Sequence, residues 1–310
     1  MINKQRLLAT FLELVQINSE SGNEIEIQQL LKSKFANLGL KVVEDNAGQH
    51  ENLGANNLIC TLEATTNDDN IDNIYFTSHM DTVVPGINVK PIVKDDGYIY
   101  SDGTTILGAD DKAGLATILE LIYILTEQDI AHGKIQFVLT VSEESGLEGA
   151  KALDTSLLDA KYGYAIDASV DVGTTVINAP TQMKINTTIH GKKAHASVPN
   201  KGVSAINIAA KAISAMKLGQ IDEYTTANIG RFEGGSATNI IADKVTLMAE
   251  ARSHSDESIN AQVAHMKSIF EETAEKYGCS ATVEIINSYP GFKISQDAIV
   301  TNVAKASAIA

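Results

Sequence analysis

Tryptophan is absent from this 310-residue chain, and cysteine occurs only twice, at Cys60 and Cys279. Two widely separated cysteines exclude a disulfide framework, and without a Cys-x-x-Cys there is no zinc-ribbon or dithiol redox signal. Two free thiols suit a reducing compartment, so a cytoplasmic location is expected. Positive charge is also scarce: Lys plus Arg number 24 against 39 Asp plus Glu, a formal net charge of -15. A surface of that sign repels nucleic acid and anionic membranes, and neither is expected as a partner. No apolar run is long enough to span a bilayer. At the start, Leu7, Leu8, Phe11, Leu12 and Val15 follow helical spacing, interrupted by Lys4, Arg6 and Glu13. That pattern lacks the continuous apolar core of a signal peptide. His-Glu-x-x-His, the Gly-x-Ser-x-Gly elbow, the Walker-type phosphate loop and Gly-x-Gly-x-x-Gly are all missing, which removes the corresponding mechanisms.

What is present is an ordinary globular composition, 44% hydrophobic and 20% charged, at a length that suggests about two domains. Helical patterns over residues 1–17 and 24–38 precede strand-like runs at 40–43, 58–62 and 74–77. Ser21 or Asn23 offers a cap for the second helix. A short hairpin is expected around Asp95-Asp96-Gly97. A buried helix over 115–125, a strand over 135–141, a helix over 150–158 and a strand over 162–166 follow. Strands alternating with helices predict an α/β sheet, where function collects beyond strand ends. From about Lys184 the order becomes strand, helix, strand, strand, helix, strand, that of a ferredoxin-like unit. A closing helix is expected from Gln296 onward, with Ala310 on its apolar face. The organisation expected is thus a first catalytic part over 1–180, an inserted domain over 181–292, and the start of a returning catalytic segment over 293–310.

The chemistry is concentrated where apolar runs end. His79 and Asp81 lie two apart after the 74–77 run, so both should emerge on one side. A neutral imidazole is a good zinc ligand, and a neighbouring carboxylate can fix its tautomer. Asp110, the pair Glu143-Glu144, and Asp167 stand at further strand ends or helix entries. Taken singly, each has a plain alternative. His79 and Asp81 would make a surface histidine beside a turn, and Asp110 a helix N-terminus where carboxylates favour the dipole. Glu143-Glu144 would make a solvated turn, and Asp167 a cap. Together they read as carboxylates brought to one sheet edge, an arrangement that calls for divalent cations. Adjacent glutamates can then divide the work, one on metal and the other taking a proton from water.

The segments SHMDTVVPG from Ser78, LGADDKAG from Leu107 and VSEESGLEGA from Val141, in that order and spacing, resemble the M20 family of co-catalytic zinc peptidases. The wording is most similar to the tripeptidase, peptidase T-like branch, as are LVQINSESG from Leu14 and GKKAHA from Gly191. The resemblance implies an α/β zinc-peptidase domain, with a mixed sheet flanked by helices, and an inserted ferredoxin-like α+β domain that acts as lid and mediates homodimerisation. It also implies two zinc ions per subunit, although cobalt or manganese suits similar ligands. His79 and Asp167 would hold the first ion and Glu144 the second, with Asp110 bridging them and its peptide bond to Asp111 cis. Asp81 would orient His79. Glu143 would be the general base, and His195 would stabilise the oxyanion in a neighbouring subunit's site. Asn239 and Arg252 would contact substrate, the arginine through a peptide's terminal carboxylate. The alternative for His195 is a solvated loop histidine, and for Arg252 a surface ion pair. His50, His132, His190, His254 and His265 are expected to be structural or exposed.

In one respect the sequence departs from the family. The resemblance implies a last histidine ligand from the catalytic domain's final segment, and no histidine follows His265. The expectation is therefore a sequence that stops short of that segment, with an incomplete second zinc site. The activity expected is hydrolysis of the N-terminal peptide bond of a short peptide. An N-acyl amino acid deacylase on the same scaffold is the alternative, with a non-catalytic metal- or peptide-binding relative as a third possibility.

Overall fold

The computed structural model describes residues 1–66, 68 and 71–309. The chain divides into two compact units, Met1–Val172 and Gly173–Ala310.

The first unit is built on a five-stranded mixed sheet. Its spatial order is Lys41–Glu44, Leu58–Leu62, Ile135–Thr140, Ile74–His79 and Tyr162–Ala165. The first two pairings are antiparallel and the last two parallel. Ile135–Thr140 is buried along its whole length, as expected for a strand paired on both sides and covered by helices. Phe137 stacks against Phe76 with ring centroids 6.0 Å apart, and Phe35 from the helix Ile25–Asn37 lies at the same distance. Truncating that fully buried ring to alanine should cost about 3–5 kcal/mol. The long helix Ala109–Glu127 buries Leu115, Ile118, Leu119 and Ile122 in the same core. The helix Lys4–Val15 adds Phe11, Leu14 and Val15.

Parallel pairing makes the edge that matters. His79 stands opposite Thr140 and Thr77 opposite Ala165, so three neighbouring strands finish at one side of the sheet. Asp81, Glu143-Glu144 and Asp167 lie just beyond those three strand ends, at that side.

Two local expectations differ from the structure. Residues 150–158 do not form one helix. A single turn, Glu148–Lys151, is followed by a 3-10 turn, Thr155–Leu157. Asp154 accepts a hydrogen bond from the Ser156 N–H, and such local bonds compete with helix formation. The 115–125 helix starts earlier, at Ala109, with non-helical backbone angles at Asp110 and Asp111. The hairpin around Asp96 is present as Ile92–Val93 paired with Ile99–Tyr100.

The second unit holds an antiparallel sheet in the order Gly219–Gln220, Thr225–Gly234, Lys244–Ser253, Thr181–His190 and Ser280–Tyr289. Omitting the two-residue edge strand, this is the strand order of a ferredoxin-like fold. Helices Ala205–Ala215 and Asp256–Lys276 share its core, with Ile189, Val245, Leu247 and Phe270 fully or almost fully buried. Ser255 caps the second helix by accepting from the Ser258 N–H. Thr181–His190 shows why the sequence pattern alternates there: Ile185, Thr187 and Ile189 are buried, while Lys184 and His190 are exposed. A closing helix spans Ile299–Ile309, and Ala310 lies outside the described residues.

Candidate metal centre

His79 is the last residue of its strand and is almost fully buried. Its Nδ1 lies 3.0 Å from the backbone carbonyl of Asp81 and 3.3 Å from Asp81 Oδ1. Both partners accept, so Nδ1 carries a proton, and Nε2 is the nitrogen that faces the carboxylates of the site. Nε2 points at Asp110 Oδ1, 2.9 Å away, with Asp167 Oδ2 at 3.7 Å. One ligand atom each from His79, Asp110 and Glu144 lie within 4.8 Å of one another. Residues from four separate stretches of the chain therefore converge. The Asp110–Asp111 peptide is cis.

Asp81 has a wider reach than a histidine orienter. It is completely buried, and its Oδ1 accepts from the Glu143 N–H at 2.9 Å while Oδ2 accepts from the Glu144 N–H at 3.1 Å and the Ser21 hydroxyl at 2.7 Å. One carboxylate thus fixes the imidazole and the backbone of both glutamates.

The electrostatics match a site made for cations. Burial, then Asp111 and the hydrogen bond with Asp110, push Asp167 up to about 7, against the opposing pull of His79. Burial followed by Asp81 and Asp110 raises Glu143, and burial followed by Asp110 and Glu143 raises Glu144. Burial would lower His79, but Asp81, Asp110 and Asp167 outweigh it and push it up to about 10. Asp81 goes the other way: burial would raise it, yet bonds from His79, Ser21 and the Glu143 amide hold it below the usual carboxylate range. Asp111 Oδ2 is buried with no hydrogen-bond partner among the described residues. Carboxylates crowded around one imidazole hold protons tightly where no cation neutralises them. Oxygen and imidazole donors in this arrangement fit a divalent ion such as zinc.

The three remaining candidates lie in the second unit. His195 belongs to the short strand Ala194–His195, which pairs with Ile240–Ile241, and Asn239 O accepts from the Ala196 N–H at 2.9 Å. His195 Nδ1 accepts from the Ser197 N–H at 3.2 Å, so its proton is on Nε2. Arg252 is on the central sheet, where Nε and Nη2 fork onto Glu250 at 2.8 and 3.3 Å. The other histidines are placed quietly: His132 Nδ1 bonds the Gly133 carbonyl, His190 bonds Thr282, and His265 Nε2 accepts from the Lys217 N–H.

The sequence gives little sign of two neighbours of the site. Ser21 does not cap the helix Ile25–Asn37; its hydroxyl is taken by Asp81, and the cap position falls to Glu24, which makes no capping bond. Lys112 is 1% exposed and bonds Ser19 Oγ at 2.7 Å and the Met80 carbonyl, beneath the His79 to Asp81 turn. Only its place within the aspartate motif hints at a role.

Comparison with known proteins gives matches to two peptidase families. The peptidase dimerisation domain of M20 enzymes matches residues 181–278, and peptidase family M28 matches residues 57–227. A tripeptidase from Staphylococcus aureus has a crystal structure that superimposes with a TM-score of 0.96 at 66% identity, covering 100% of this chain and 82% of that one. The aminopeptidase PepT of Bacillus cereus gives a TM-score of 0.90 at 58% identity, covering 99% of this chain and 82% of that one. The uncharacterised protein YqjE of Bacillus subtilis is 57% identical over 309 residues, 99% of this chain and 82% of its own length. No helix among the described residues is long and apolar enough to cross a membrane. With an M20 dimerisation domain, a peptidase-type match over 57–227 and similarity over nearly the whole chain to a tripeptidase and to PepT, the chain belongs to the M20 metallopeptidases, on the tripeptidase and peptidase T branch.

Proposed function

We propose that this protein is a metal-dependent aminopeptidase that removes the N-terminal residue from tripeptides and similarly short peptides. The observation that carries this is the meeting of His79, Asp110 and Glu144 at one sheet edge, with Asp167 beside them. His79 and Asp167 would hold one zinc ion, Glu144 a second, and Asp110 both. Bound divalent ions supply Lewis acidity to polarise a peptide carbonyl and make water acidic.

The chain's own residues do the rest. Glu143, raised by burial, is suited to take a proton from the attacking water and return it to the leaving amine. Asp81 keeps the His79 proton on Nδ1 and holds the glutamates in place. His195, with its proton on Nε2, is equipped to donate a hydrogen bond to a developing oxyanion, in a neighbouring subunit of a homodimer. Asn239 and Arg252 would contact the substrate, with the Arg252 Nη1 edge meeting the peptide's carboxylate beside its fork on Glu250. The finer segmentation, catalytic 1–180 and 293–310 with a lid and dimerisation domain at 181–292, belongs to the same proposal, as does a cytoplasmic location.

The test is to supply zinc to the purified chain and offer tripeptides beside N-acetyl and N-succinyl amino acids. Release of the free N-terminal amino acid from tripeptides is expected. Release of acetate or succinate alone would make it a deacylase, and zinc binding without turnover of either a binding protein.

A further inference from the structure

Four consecutive backbone amides, those of residues 141–144, each donate to a buried side chain from elsewhere in the chain. Val141 N–H donates to Asn57 Oδ1 and Ser142 N–H to Glu24 Oε1, both at 3.0 Å. Glu143 and Glu144 donate to the two oxygens of Asp81 at 2.9 and 3.1 Å. Asn57, Glu24 and Asp81 are all 0% exposed. The critical point in this row is Ser142. It has φ +49°, a left-handed conformation that non-glycine residues rarely adopt. It is also where the chain leaves Ile135–Thr140 and turns to present Glu143 and Glu144.

Glu24 holds that turn. Its Oε1 accepts from the Ser142 N–H, from the Ser142 hydroxyl at 2.8 Å and from the Gly22 N–H at 2.9 Å. Its other oxygen, Oε2, is buried with no hydrogen-bond partner among the described residues. Burying a carboxylate this deeply is costly, and stability alone gives weak grounds for it. Its surroundings are shaped to admit it: a Cβ at Gly54 would lie 2.3 Å from Glu24 Oε2.

We infer that Glu24 is a positioning residue, which acts through the left-handed turn at Ser142 to set where the Glu143 and Glu144 carboxylates point. The inference rests on the proposed roles of those two glutamates as base and ligand. Placement errors of about 1 Å in a reacting group can cost about 100-fold in rate.

The experiment compares Glu24→Ala and Glu24→Gln in the full chain by two readouts. One is hydrogen exchange of amides 141–147 in metal-free protein; the other is kcat and KM on a tripeptide with zinc. Glu24→Ala should exchange roughly tenfold faster over 141–147 while the strand 135–140 keeps its protection. Its kcat should fall about 100-fold with KM within about threefold. Glu24→Gln retains a carbonyl oxygen for the same three donors and should restore both. Wild-type exchange and kcat in Glu24→Ala, or exchange raised equally along 135–140, would overturn the inference. If Glu24→Ala does not fold, Glu24→Asp, which withdraws the oxygen by one methylene, must show the same pattern, and a wild-type kcat there overturns it equally. If the wild-type chain turns over no peptide, the functional reading fails, while the exchange comparison still decides whether Glu24 holds the turn.

Discussion

Asp81 Oδ1 accepts a hydrogen bond from the Glu143 backbone N–H at 2.9 Å, which couples the residue that orients the imidazole to the residue proposed as base. The partner oxygen does the same for Glu144, so a change at position 81 reaches three functional groups at once. Asp81→Asn keeps the shape but turns one acceptor into a donor facing another donor. It should weaken zinc binding about 10–100-fold and lower kcat at least as much. Zinc retained after dialysis, with steady-state kinetics beside it, measures both.

Glu143 and Glu144 are neighbours in sequence with separate proposed tasks, and mutation should separate them. Glu143→Gln is expected to lower kcat by about 100- to 10,000-fold, the usual worth of a general base, with metal content and KM little changed. Glu144→Gln should instead lose affinity for one of the two ions. Equal effects of the two changes on metal content would contradict the division of labour.

Removing metal should remove both activity and some stability. A ligand that binds only the folded state stabilises it by about 2.7 kcal/mol at 100 times its dissociation constant. A chelator should therefore lower the melting temperature and abolish peptide hydrolysis, and zinc, cobalt or manganese should restore both. Calorimetry with and without chelator reads the first, a tripeptide assay the second. His79→Ala should melt at nearly the same temperature in either condition.

Away from the site, acid should weaken the first unit through Glu120. This buried carboxylate accepts from Arg6 Nε at 2.7 Å, Arg6 Nη2 at 3.0 Å and the Asn3 N–H at 2.7 Å. The Arg6 bond is the largest influence and holds it below the ordinary glutamate value. A depressed folded-state pKa gives stability that is present above the unfolded value, near 4.3, and is lost as pH falls through the folded one. Glu120→Gln should be less stable than wild type at pH 7 by about 1–3 kcal/mol. The gap should narrow as the pH drops below about 4. Denaturant titrations at several pH values would show a pH-independent gap if the account is wrong.

The parts of this molecule legible in sequence are those set by local pattern. The continuous apolar run of Ile135–Thr140 marks a central strand because burial on both faces needs no polar residue. His79, Glu144 and Asp167 are legible because each follows such a run, and function gathers at strand ends. Asp110 is legible through its motif. The hidden parts depend on distant contacts. Ser21 lies 60 residues from Asp81, and a hydroxyl before a helix looks like a cap until the fold brings that carboxylate to it. Lys112 looks like a surface charge in a helix start, yet it is buried against Ser19 and Met80. Residues 150–158 contain good helix formers, but the Asp154 bond to Ser156 redirects the backbone. Short pairings such as Ala194–His195 with Ile240–Ile241 leave no periodic trace in two residues.

The most direct measurement is diffraction at the zinc absorption edge from crystals of this protein grown with zinc. The account predicts two anomalous peaks, with His79 and Asp167 on one, Glu144 on the other and Asp110 between them. Zinc bound elsewhere, with those four side chains turned to water, would contradict it.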